Sequence, residues 1–132
     1  MVISIGDGYE IIKSFSQKEV NEFARLSGDD NPIHIDSQYA KNTVFGQTIV
    51  HGALANAQFS KILGTKFPGE GTIYLEQSSK FIKPLFPENY YTFKVKVISV
   101  HPTKPIYTLE TQCFDQKNEI CIDGTAVVKY KE

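Results

Sequence analysis

The segment from His51 to Leu63 is apolar on most of the circumference of the helix that its spacing predicts. A helix apolar nearly all round is a buried one, and Gly64 is well placed to cap its C-terminus. Its small residues, among them Gly52, Ala53, Ala55 and Ala57, allow a sheet to pack close around it. The chain after Gly71 reads as that sheet. Ile73–Lys83, Tyr90–His101, Ile106–Asp115 and Glu119–Lys131 are rich in β-branched and aromatic residues. Prolines at 84, 87, 102 and 105 and the polar stretch Gln116, Lys117, Asn118 separate them as turns. In the second strand the apolar parity changes between Val97 and Ile98, which predicts a bulge there. Helices first and antiparallel strands afterwards make the fold class α+β: a curved antiparallel sheet around a buried central helix.

Upstream, Ser16 and Glu19 have the spacing of a capping box. Val20, Phe23 and Ala24 then recur at helical spacing to about Leu26, before Gly28 and Pro32 stop the helix. A loop over 28–35 follows, and Asp36 caps a second short helix through Tyr39 and Ala40. No repeat, linker or low-complexity tract divides the 132 residues, so a single domain over 1–132 is expected.

Composition excludes several classes. A net charge of −1 gives no reason to expect a nucleic-acid partner or an anionic membrane surface. No apolar run reaches the roughly 20 residues of a spanning helix, and the N-terminus lacks a signal-peptide pattern. A cytoplasmic protein is expected. The two cysteines, Cys113 and Cys121, flank a predicted hairpin turn. Pairing the apolar faces of the two strands places Cys113 near Ile120 and Cys121 on the opposite face, so no disulfide is expected. Three histidines well separated in sequence and no CxxC pair give no basis for a zinc site.

The chemistry-bearing stretch is Ser27, Gly28, Asp29, Asp30, Asn31, Pro32, Ile33, His34. Pro32 holds Asn31 in extended geometry, so Asp29 and His34 do not stack on a regular helix. The loop can instead turn both side chains toward one point. A carboxylate and an imidazole around a shared water form a general acid–base pair. The same residues are also ordinary turn formers: Asp29 has a second reading as a ligand for the loop's own amides, and His34 one as a structural hydrogen-bonder. Ser27 and Asn31 suit side-chain to backbone bonds that hold the loop. At the start of the apolar helix, Gly52 admits a ligand close to unpaired backbone amides at the positive end of the helix dipole. Such an amide can stabilise a developing oxyanion; equally, Gly52 suits tight packing. His51 has two readings, a base or a residue that fixes where the helix begins.

Phe23 to His34, with Ala40 six positions on, resembles the hydratase-2 motif of MaoC-like proteins. Ile49 to Leu54 resembles the segment that opens that family's central helix, and Gly124 to Lys129 its last strand. The likeness covers nearly the whole chain and is greatest to the short (R)-specific enoyl-CoA hydratases that feed polyhydroxyalkanoate synthesis. It implies a hot-dog fold, a homodimer with sheets joined edge to edge, and syn hydration of a trans-2-enoyl-CoA to the (R)-3-hydroxyacyl-CoA. No cofactor and no metal is implied. Asp29 and His34 would be the catalytic pair gripping one water; Gly52, Ser60 and Asn31 would meet the acyl-CoA thioester. Ala53 departs from the family, where a bulkier residue is common. Asp30 is expected to face solvent, and Lys61, Lys66, Lys80 and Lys83 are candidates for the coenzyme phosphates.

Three other functions compete. A 3-hydroxyacyl-acyl-carrier-protein dehydratase would run the same proton transfers in reverse during fatty-acid synthesis. A non-catalytic acyl-thioester binding module needs the pocket but not the pair. A thioesterase is disfavoured, because no Asp or Glu occurs between His51 and Phe67 to supply a carboxylate from the central helix.

Overall fold

Local signals set most of the elements. The computed structural model describes residues 1–131. Strand β1 spans Gly8–Ser14, and helix α1 spans Gln17–Ser27 behind the expected capping box, in which Ser16 and Glu19 bond each other's backbone amides. Gly28 ends α1 at φ 80°, a left-handed conformation that favours glycine. The expected loop contains a one-turn helix, α2, Pro32–Ile35, with Asn31 as its cap and Pro32 at its first position. Helix α3, Ser37–Lys41, starts at Asp36, whose carboxylate accepts from the amides of Gln38 and Tyr39.

Helix α4 spans Gly52–Thr65, so Gly64 lies inside it and the expected cap there is incorrect. The Lys66 amide still bonds the Ile62 carbonyl, and the helix stops only ahead of Pro68. A glycine inside a helix is tolerated at about 1 kcal/mol, which packing of this helix readily offsets.

Strands β2 (Ile73–Phe81), β3 (Tyr90–Val100), β4 (Ile106–Phe114) and β5 (Ile120–Lys129) complete one antiparallel sheet in the order β1-β3-β4-β5-β2. The predicted bulge is present: the β3–β4 register passes from Val97↔Leu109 to Ser99↔Thr108, leaving Ile98 unpaired. Alternate residues of the central strands, including Phe93, Val95, Leu109, Ile122, Ala126 and Val128, are fully buried. They meet Ala55, Phe59, Ile62 and Leu63 of α4. Phe59 packs edge-on to Phe93 at 5.5 Å, and Phe15 meets Phe93 at 6.1 Å. Truncating a fully buried Phe such as Phe59 to Ala typically removes about 3–5 kcal/mol.

The sheet packs around the central helix as expected, and Ala53, Ala57, Ser60 and Lys61 are exposed along the helix face it leaves open. One expectation besides the Gly64 cap is corrected. The cysteines do not face opposite ways. Cys113 pairs with Ile122 and Phe114 with Ile120, so Cys121 is an unpaired bulge residue and both thiols are buried and free. Strict alternation fails wherever one strand carries an extra residue. The Cys121 thiol as hydrogen-bond neighbour, followed by burial, holds the Cys113 thiol far above the ordinary thiol range.

Edge strand β2 is largely uncovered. Ile73, Tyr74, Leu75 and Phe81 are all exposed, beside the open face of α4.

Candidate active site

The turn after α1 is pinned from within. Ser27 donates its hydroxyl to the Phe23 carbonyl at 2.6 Å and accepts from the Asp29 amide at 3.1 Å. Asn31 accepts from the Ile33 amide at 3.4 Å, which starts α2 and sets the direction of His34. Both loop-holding roles expected of Ser27 and Asn31 are present. The amide of Asp30 bonds the Gly28 carbonyl. The Asp30 side chain is exposed and lines a shallow depression with Asn21 and Arg25, away from His34.

Asp29, His34 and His51 converge. One ligating atom from each lies within 4.8 Å of the others. His34 Nδ1 is 2.8 Å from the Ile49 carbonyl, and a carbonyl only accepts, so Nδ1 carries a hydrogen and, in the neutral ring, Nε2 keeps its lone pair. His51 Nε2 is 2.9 Å from the main-chain carbonyl of Asp29 and donates to it by the same logic. The two imidazoles stack at 3.8 Å between centroids, 22° from parallel. Burial, foremost, lowers the proton affinity of His51 below that of an ordinary imidazole, and the neighbouring His34 adds to this; the Asp29 carbonyl and charge oppose it. His51 was the residue least legible in the sequence. Its one signal was its position immediately ahead of the helix-opening glycine.

Gly52 is the first residue of α4, where an amide has no acceptor within the helix. A Cβ there would sit 2.8 Å from the Phe81 ring, so the glycine also permits close packing. His34 and Gly52 line the same cleft of about 500 Å³, whose apolar wall includes Ile49, Ala55, Phe81 and Ile122. Ser60 lies farther along α4 in an exposed position. Asn31 is exposed beside the pair. Of the candidate phosphate ligands, Lys83 is already paired with Asp115 at 3.0 Å and Glu119 at 3.3 Å, and those bonds raise its pKa. Lys61, Lys66 and Lys80 are exposed.

A carboxylate beside an imidazole with a bare Nε2 can hold and deprotonate a water. Two imidazoles and a carboxylate are also the donors that a divalent cation takes. His34 Nδ1 and His51 Nε2 already donate to carbonyls, so each ring offers only its other nitrogen to either use.

Comparison with known proteins identifies the family. The family profile for the MaoC like domain matches residues 6–115. The (R)-specific enoyl-CoA hydratase of Aeromonas caviae is 42% identical over 127 residues, covering 96% of this chain and 95% of that protein. The protein of the same description from Rhodospirillum rubrum is 37% identical, covering 96% and 87%. The solved structure of the A. caviae (R)-hydratase involved in PHA biosynthesis superposes with a TM-score of 0.95 at 41% identity, covering 98% of both chains.

Proposed function

This chain belongs to the MaoC-like family and has its α+β hot-dog fold, and from that premise we propose that it hydrates trans-2-enoyl-CoA to (R)-3-hydroxyacyl-CoA through Asp29 and His34. It is an enzyme of the enoyl-CoA hydratase class, and residues 1–132 form one hydratase domain. The observation that carries the mechanism is the meeting of Asp29 and His34 within 4.8 Å, with His34 in the same cleft as Gly52.

The water sits between the Asp29 carboxylate and His34 Nε2. Asp29 takes its proton as the water oxygen bonds C3 of the enoyl group. The electron pair of the double bond moves to the thioester oxygen, where the Gly52 amide meets the growing charge. A proton returns from the pair to C2 on the same face, restoring Asp29 and His34 and completing syn addition. The two groups exchange protons as a unit, so their roles are those of the pair. Asn31 holds the loop and borders the substrate, and Ser60 faces the acyl-thioester from the open side of α4.

A second copy of this chain completes the molecule by joining β2 to β2 edge to edge. The support is an edge strand with exposed Ile73, Leu75 and Phe81, a feature that isolated proteins guard against. No described helix is long and apolar enough to cross a membrane. We place the enzyme in the cytoplasm, in acyl-CoA metabolism that includes polyhydroxyalkanoate supply.

The test is loss of conjugated enoyl-thioester absorbance with crotonyl-CoA and longer homologues, followed by chiral analysis of the product. An (R)-product supports the reading; an (S)-product, or binding without turnover, sinks it. Running the same assay with an acyl-carrier-protein thioester separates the hydratase from the dehydratase of fatty-acid synthesis.

A further inference from the structure

His51 takes part in neither proton transfer described above, yet it is more deeply buried than either group that does. It is 1% exposed. The edge of Phe23, from α1, packs on its ring at 4.8 Å, and the ring of His34, from α2, stacks on it at 3.8 Å. Its Nε2 donates to the Asp29 carbonyl, so Nδ1 is the bare acceptor, and that atom is buried without a hydrogen-bond partner among the described residues. An unpaired buried acceptor destabilises a fold. An apolar ring of similar size would avoid that penalty, so the imidazole has a use that Phe cannot serve.

The neighbouring contacts show the use. The Asp29 peptide is gripped on its amide side by Ser27 Oγ at 3.1 Å and on its carbonyl side by His51 at 2.9 Å. The exposed carboxylate of Asp29 has no hydrogen bond of its own among the described residues, so its direction comes from that gripped main chain. His34 is anchored along one edge by the Ile49 carbonyl, and only a flat neighbour stops the ring from swinging about that edge. The face of His51 is that neighbour. A single short stretch, residues 49–51, thus holds both members of the pair.

We propose that His51 is a positioning residue for Asp29 and His34, its N–H fixing the main chain of the first and its face the ring plane of the second. This role requires a neutral ring. A charged His51 would carry a second N–H with no acceptor, stacked on the imidazole of the proton-transfer pair. Asp29 and His34 are the titratable groups facing it, and Phe23 packs against its ring. Burial keeps it neutral.

The kinetic part of the inference rests on the hydratase reading, so the test has an arm independent of turnover. His51→Phe keeps the stack and loses the N–H; His51→Gln keeps a donor and loses the stack. With crotonyl-CoA, His51→Phe is expected to lower kcat about 10- to 100-fold, the effect of small misplacements, with KM within about threefold. His51→Gln recovers part of kcat relative to His51→Phe and displaces the acid limb of kcat/KM. Folded variants with wild-type kcat and an unmoved pH profile overturn the proposal, because a ring that merely fills space predicts that result. Where the variants fail to fold, nitrogen NMR of isotope-labelled wild-type protein decides. An Nε2–H tautomer for His51 that stays neutral at the pH optimum for hydration supports the proposal; an Nδ1–H tautomer, or a charged His51 at that optimum, overturns it. If wild-type protein hydrates no enoyl thioester, the functional reading fails alone, and the tautomer still supports or overturns the positioning.

Discussion

His34 and His51, 17 residues apart in the chain, stack their imidazoles at 3.8 Å, and each gives one N–H to a main-chain carbonyl. Those two carbonyls belong to Ile49 and Asp29, so the chain segments on either side of the pair hold one another's rings. The arrangement fixes which nitrogen of each neutral ring carries the hydrogen, and the expected chemistry uses the other nitrogen of His34.

Asp29→Asn removes the carboxylate without removing a structural bond, because the described contacts of Asp29 are through its backbone. Hydration is expected to fall about 10²–10⁴-fold, with thermal stability and acyl-CoA affinity close to wild type. Steady-state kinetics, calorimetric binding and a melting curve on the same preparation check all three. Retained hydration would remove Asp29 from the mechanism.

Gly52→Ala sets a methyl against the Phe81 ring, 2.8 Å away. That ring is 55% exposed and can turn aside, so the protein is expected to fold. The methyl still keeps a thioester from the amide, and kcat should drop. Adding Phe81→Ala relieves the packing conflict. If the double variant recovers stability but not kcat, the amide acts on substrate; recovery of both makes Gly52 a packing residue only.

The lowered proton affinity of His51 predicts a pH dependence of stability. In the unfolded chain its imidazole titrates near 6.5, whereas in the folded protein burial pushes the value below that. Below about pH 6.5 the unfolded state binds the proton first, so stability present above that pH is lost as pH falls toward the folded value. Glu19 and Asp115 have carboxyls lowered chiefly by backbone hydrogen bonds, at the Ser16 and Glu119 amides respectively. Their contributions are present above the ordinary values of 4.5 and 3.8 and are lost only as pH falls below these. Melting temperatures measured from about pH 7.5 to about pH 5 should therefore decline in wild type and flatten in His51→Gln.

Chelation should leave hydration intact, because Asp29 and His34 supply the proton transfers directly. Activity lost to a chelator and restored by a divalent cation would turn the Asp29, His34 and His51 cluster into a cation site.

Leu75→Arg on β2 puts a charge on an exposed apolar edge. A shift from dimer to monomer in sedimentation is the expected outcome; an unchanged dimer would place the interface elsewhere.

What could be read from the chain was local. The capping box of Ser16 and Glu19, the Asp36 cap, the phase switch around Ile98 and the strand segments depend on neighbours a few residues apart, and all appear as expected. The convergence of Asp29 and His34 was also legible, because Pro32 and Asn31 constrain the four residues between them. Tertiary structure alone decided the rest. The bulge at Cys121 depends on how β5 matches β4, and it turned a thiol expected on the outer face toward the core. Gly64 stayed helical because Ile62 and Leu63 are held by the sheet, outweighing the weak local preference of glycine to end a helix. The open face of α4 reflects how far the sheet extends, which apolarity of the helix does not specify. The bond from His51 to the Asp29 carbonyl joins residues 22 apart in the chain. No local pattern encodes such a contact; it exists only once the start of α4 is packed beneath the Asp29 turn.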